Sequence, residues 1–99
     1  MTINEVKNAD SIQLDVEGRV DTTTAPELQN ALLTAFQKSR TIIINFEKVA
    51  YISSAGLRAL LIGQKTATSK GGSMTIVNAN DSVKEVFEVT GFIDILTLA

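Results

Sequence analysis

Thr41-Ile42-Ile43-Ile44-Asn45-Phe46, then Val49-Ala50-Tyr51-Ile52-Ser53-Ser54-Ala55-Gly56-Leu57-Arg58-Ala59-Leu60-Leu61, is the stretch that decides the fold. Its first part is a near-continuous β-branched run. Such a run predicts a strand buried on both faces, as in the middle of a parallel sheet. Its second part passes through two serines into Leu57, Leu60 and Leu61, the inner face of a helix from about Ser54 to Ser69. Gly71-Gly72 stop that helix. A buried strand leading into an amphipathic helix is the first half of a β-α-β crossover.

Upstream, Leu28, Ala31, Leu32, Ala35 and Phe36 recur at helical spacing and predict one apolar stripe. Pro26 lies in the first turn, where its missing N–H costs little. Thr24 and Glu27 have the spacing of a capping box. Earlier still, Ile12, Leu14 and Val16 alternate with Gln13, Asp15 and Glu17, the period of a half-exposed strand. Ile3 and Val6 mark a partner strand, with a turn at Asn8–Asp10, so the chain opens on a hairpin.

Downstream, Met74–Val77 predicts another short strand. Asn80–Ser82 supply caps for a third helix with Val83, Val86 and Phe87 inward, ended by Gly91. Ile93–Leu98 is apolar enough for a last strand or a terminal helix. Strand and helix alternate after the hairpin. The fold class is therefore α/β: a mixed sheet, mostly parallel beyond the hairpin, with helices packed on it.

The 99 residues fit one domain, with no linker, repeat or low-complexity segment to divide residues 1–99. The chain is 44% apolar and 20% charged, an ordinary globular balance. It has neither cysteine nor histidine, which removes thiol chemistry, disulfides, the usual zinc ligand sets and any imidazole base. A net charge of −2 and 5% aromatics argue against direct nucleic-acid binding. No apolar run approaches the ~18 residues of a membrane span, and MTINEVKNAD lacks the pattern of a signal peptide, so a cytoplasmic protein without membrane insertion is expected. No Gly-x-x-x-x-Gly-Lys-Ser/Thr loop and no acid/base pair of carboxylates is present, so an enzyme is not expected, and neither is a cofactor or metal.

The serine pair has two readings. A serine at the start of a helix satisfies one free N–H, worth ~1 kcal/mol. Gly56, inside the first turn, costs ~1 kcal/mol relative to alanine and so implies a close approach. Either a neighbouring strand packs there, or another protein's backbone or a phosphate must reach Ser54. Asp21 likewise reads as a loop aspartate that turns the chain before a helix. Arg58, four residues beyond Ser54, shares its helical face and is either solvated or free to meet a carboxylate or phosphate.

Ile52-Ser-Ser-Ala-Gly-Leu-Arg-Ala-Leu-Leu61 resembles the signature of STAS domains, and in particular of bacterial anti-sigma factor antagonists. Gly18-Arg-Val-Asp21 with its following threonines, Gly71-Gly72, and Thr90-Gly91-Phe92 fall in the family's order, so the resemblance spans the whole chain. It implies a single STAS-like domain. It further implies a protein that binds an anti-sigma factor serine/threonine kinase and frees a sigma factor. Phosphorylation by that kinase would switch binding off, and a protein phosphatase would restore it.

The serine two positions before the glycine is the family's phosphorylated residue, here Ser54; Ser53 is the alternative acceptor. The implied partner-binding set is Asp21, Thr22, Ser53, Ala55, Gly56 and Arg58. Two positions depart from many members of the family: Ser53 stands where an acidic residue is common, and Asn45 where aspartate is. Both departures remove negative charge from the site. The missing acidic residue before Ser54 fits a second role, a scaffold or a subunit of a stress-signalling or lipid-transport complex that is never phosphorylated.

Overall fold

A computed structural model describes residues 1–99. Five strands, β1 (Thr2–Lys7), β2 (Ile12–Val20), β3 (Thr41–Ile52), β4 (Ser73–Val77) and β5 (Thr97–Leu98), form one sheet in the order β1-β2-β3-β4-β5. β1 and β2 are the antiparallel hairpin; every later pairing is parallel. Helices α1 (Ala25–Lys38), α2 (Ser54–Ser69) and α3 (Asp81–Val89) make the crossovers. The segment expected as a last strand or terminal helix, Ile93–Leu98, holds the end of a 3-10 turn, Phe92–Asp94, and then the two-residue β5.

Ile12, Leu14, Ile42, Ile44, Met74 and Ile76 lie in register on one face and are all buried. α1 and α2 pack on each other and on the sheet, closing a core that includes Leu28, Leu32, Phe36, Leu57 and Leu60. Ala31 packs half-buried against that core, while Leu61, expected on the inner face of α2, is half-buried outside it. α3 packs beside the far half of β3 through Val83 and Phe87, and Asn80 caps it by accepting from the Val83 amide at 2.8 Å.

Three expectations need correction. β3 is not buried on both faces: Ile43 and Asn45 are half-buried on the side opposite the core, in line with Gln13 and Asp15 of β2 and with Thr75 and Val77 of β4. β3 also continues six residues past Phe46. Register shifts against β2 break the alternation there, so its buried residues fall at Phe46, Val49 and Ile52, three apart. That spacing does not look like a strand. Finally, Thr24 makes no capping bond to α1, so the capping box with Glu27 does not form. The Thr24 hydroxyl donates instead to the Arg19 carbonyl at 2.8 Å and accepts from the Asp21 amide at 2.8 Å.

Candidate functional site

The end of β2 and the end of β3 meet where α2 begins. Val20 and Ile52 are paired, and the Ser53 amide donates to the Val20 carbonyl at 2.8 Å. That bond holds the serine pair against the strand leading to Asp21. Ser53 is the N-cap of α2: its backbone is extended, and its hydroxyl oxygen accepts from the Gly56 amide at 3.4 Å. Ser54 is the first helical residue and is exposed. The two serines are thus divided in labour. Ser53, half-buried, caps the start of the helix; Ser54 presents a side chain that no other group in the protein engages by hydrogen bond.

Gly56 is buried, and the close approach its presence implied comes from within the chain. A Cβ there would lie 2.7 Å from both Val20 Cγ1 and Ile52 Cγ1, and 3.2 Å from the Val20 carbonyl oxygen. The glycine lets α2 start in contact with the strand ends, and this contact is internal packing. Ala55 is half-buried against the core. Arg58 is exposed and belongs to neither ion pair of the chain, which are Arg19–Asp21 and Lys38–Glu5.

Asp21 organises the turn before α1. Its Oδ1 accepts from the Thr23 hydroxyl at 2.7 Å and from the amides of Thr23 and Thr24 at 3.0 and 3.1 Å. The Thr24 hydroxyl also approaches Oδ1, at 3.2 Å, but its single proton is better placed on the Arg19 carbonyl. The Thr23 hydroxyl bond holds the Asp21 carboxyl below its ordinary value; desolvation opposes it, and the amide bonds of Thr23 and Thr24 add to the lowering. A carboxylate with a lowered pKa is a poor base, so Asp21 is unsuited to activating a serine. Thr22 is exposed at the tip of the same turn. Asp21, Thr22, Ser53, Ser54 and Ala55 therefore gather at one end of the sheet, with Gly56 beneath them.

Sequence reasoning missed two neighbours. Arg19 and Tyr51 are cross-strand partners, one residue before Val20 and Ile52. The Arg19 guanidinium carbon sits 4.3 Å from the centre of the Tyr51 ring, and Arg19 Nε lies 3.9 Å from Asp21 Oδ2. Their pairing depends on the shifted register of β2 against β3, which periodicity does not reveal.

No group of three His, Cys, Asp or Glu side chains is placed to hold a metal ion, and no helix is long and apolar enough to cross a membrane. The arrangement supplies an exposed hydroxyl at the junction of β3 and α2, and the carboxylate gathered with it, Asp21, is a poor base. That is the chemistry of an acceptor for an external enzyme, or of a docking surface.

Comparison with known proteins agrees with this geometry. The anti-sigma-B factor antagonist of Bacillus subtilis (strain 168) is 30% identical over 101 residues, covering 100% of this chain and 93% of the relative. The structure of SpoIIAA, an anti-sigma factor antagonist, in its unphosphorylated form superposes with a TM-score of 0.76 at 19% identity, covering 99% of this chain and 87% of that one. The phosphorylated form of SpoIIAA, from Bacillus, gives a TM-score of 0.75 at 21% identity, covering 99% and 91%. The STAS domain pattern matches residues 2–99, and with the sheet order and the serine-bearing junction of β3 and α2 it shows that this chain belongs to the STAS domain family.

Proposed function

We propose that the protein is an anti-sigma factor antagonist whose binding is switched off by phosphorylation of Ser54. The observation that carries this reading is the division between the two serines. Ser53 is spent as a helix cap, while Ser54 offers a free, exposed hydroxyl at the rigid start of α2. The names of the relatives support it, as does the existence of a related protein in unphosphorylated and phosphorylated forms. Its partners are an anti-sigma factor that is also a serine/threonine kinase, and a protein phosphatase that resets it. It acts in the cytoplasm as a binding protein, with no reaction of its own, and its effect on transcription is indirect.

The switch is electrostatic. Phosphate adds about 1.5–2 negative charges in the middle of a contact surface. Desolvating an unpaired charge at an interface costs several kcal/mol, so release needs no refolding. The test is incubation with the serine-kinase anti-sigma factor of the same organism, followed by intact mass. One phosphate on the wild type and none on Ser54→Ala supports the switch; a phosphate on Ser54→Ala moves the acceptor elsewhere.

A second reading, a STAS subunit that is never phosphorylated, draws on one feature. The first turn of α2 carries no acidic residue, and its N-cap is the uncharged Ser53. Absence of any mass change while the proteins still bind favours that role.

A further inference from the structure

We propose that the Arg19–Tyr51 stack is the energetic centre of the surface that grips the anti-sigma factor, and that it selects a partner presenting a carboxylate beside an apolar side chain. The inference rests on the reading above and extends it to residues outside the serine motif.

Tyr51 is 41% exposed, a large aromatic on the surface. The other exposed large apolar residues, Val6, Val89, Ile93 and Ile95, lie on β1, at the end of α3 and around the 3-10 turn. Only Tyr51 adjoins the serine motif, two residues before Ser53. Arg19 covers one side of its ring at 4.3 Å.

The pair is built to be stiff. Arg19 and Tyr51 are directly opposite each other on β2 and β3, and their next residues, Val20 and Ile52, are the two that seat Gly56. The Arg19 guanidinium rests on the ring, with the Asp21 carboxylate beside it at 3.9 Å, although its side chain remains 64% exposed. A planar cation already held in place loses little freedom when it forms a forked bond. Tyrosine and arginine are also the residue types that dominate binding energy at interfaces.

The charges define the partner. Asp21 Oδ1 is taken up by Thr23 and Thr24, and Oδ2 approaches Arg19 at 3.9 Å, too far for a hydrogen bond, which leaves all five guanidinium N–H donors unfilled. Those donors fit a carboxylate from outside, and the uncovered part of the ring fits an aliphatic side chain. The stack and Ser54 share one rigid strand-helix junction. A single partner covering both would sense phosphate at one end and anchor at the other.

The experiment is calorimetric titration of the serine-kinase anti-sigma factor into wild type, Arg19→Glu, Arg19→Lys, Tyr51→Ala, Tyr51→Phe and Lys65→Glu. Lys65 is exposed on α2, about 16 Å along the helix from Ser54, and controls for net charge. Arg19→Glu and Tyr51→Ala are expected to weaken binding at least tenfold. Tyr51→Phe, which keeps the ring, should stay within about threefold of wild type, as should Lys65→Glu. Arg19→Lys should fall between, because it keeps charge and loses the fork. Thermal melts accompany each variant, and if Tyr51→Ala fails to fold, Arg19→Glu against Lys65→Glu decides alone. Affinities of Arg19→Glu and Tyr51→Ala within twofold of wild type overturn the inference and leave the Ser54 switch standing. Equal losses in Arg19→Glu and Lys65→Glu overturn it too, since net charge then explains the effect. A wild type that binds no anti-sigma factor overturns the functional reading itself, and the inference with it.

Discussion

The amide of Ser53 donates to the carbonyl of Val20 at 2.8 Å, so the residue that caps α2 is fastened to the end of β2. One bond thereby joins the serine motif to the segment that carries Asp21. The position of Ser54 is set by two strand ends and a helix cap rather than by a free loop. A surface so fixed suits a switch that works by charge alone.

Ser53 and Ser54 should respond differently to alanine. Ser53→Ala removes the cap, at about 0.5–1 kcal/mol given the long 3.4 Å bond, and lowers the melting temperature by several degrees. Ser54→Ala should stay within about 0.5 kcal/mol of wild type, as an exposed residue without a bonded partner. Paired thermal melts check this. The opposite order places the cap on Ser54.

Gly56→Val should damage the fold before it damages binding. Its side chain would start 2.7 Å from Val20 and Ile52, both buried, and overpacking of this kind costs about 1–3 kcal/mol. A drop in melting temperature of roughly 5–20 °C is expected. Unchanged melting with lost partner affinity contradicts the internal packing of Gly56.

The pattern of what was legible follows from the physics of each element. The stripe of Leu28, Leu32 and Phe36, the alternation of Ile12, Leu14 and Val16, and the turn at Asn8–Asp10 are local signals and appear as expected. The second half of β3 was not legible, because the bulged pairing with β2 puts Phe46, Val49 and Ile52 inside at a spacing no strand rule describes. The half-open face of Ile43 was hidden for another reason: an isoleucine run looks the same whether one side is covered or two. At the site, the motif located both serines, yet their roles depend on which amide turns toward which oxygen. The Arg19–Tyr51 contact exists only once two distant strands are in register.

Acid should weaken the fold through Asp21 and Asp15. The Thr23 hydroxyl lowers the Asp21 carboxyl; Gln13, and after it Asn45, lowers that of Asp15. A lowered folded value means the unfolded chain takes up protons first as pH falls. The stabilisation is complete above the unfolded value, near 3.8, and is lost as pH drops through the folded ones. Melting temperature should therefore be insensitive to these groups above about pH 5 and fall below about pH 4. The deficit of Asp21→Asn relative to wild type should shrink with acid. A deficit that grows as pH falls contradicts the direction assigned here.

Phosphate at Ser54 should leave the domain folded. The start of α2 favours an anion by about 0.3–1 kcal/mol, and the Asp21 carboxylate, screened by solvent, opposes it. Melts of the phosphoserine-54 and unmodified proteins should agree within a few degrees. Cooperative unfolding of the phosphorylated form at room temperature would make release an order–disorder event instead.

The most direct test is titration of the serine-kinase anti-sigma factor into unmodified protein and into protein carrying phosphoserine at position 54. The surface-charge switch predicts affinity at least tenfold weaker for the phosphorylated form, a loss of about 1.4 kcal/mol or more, with both forms folded. Equal affinities would contradict it.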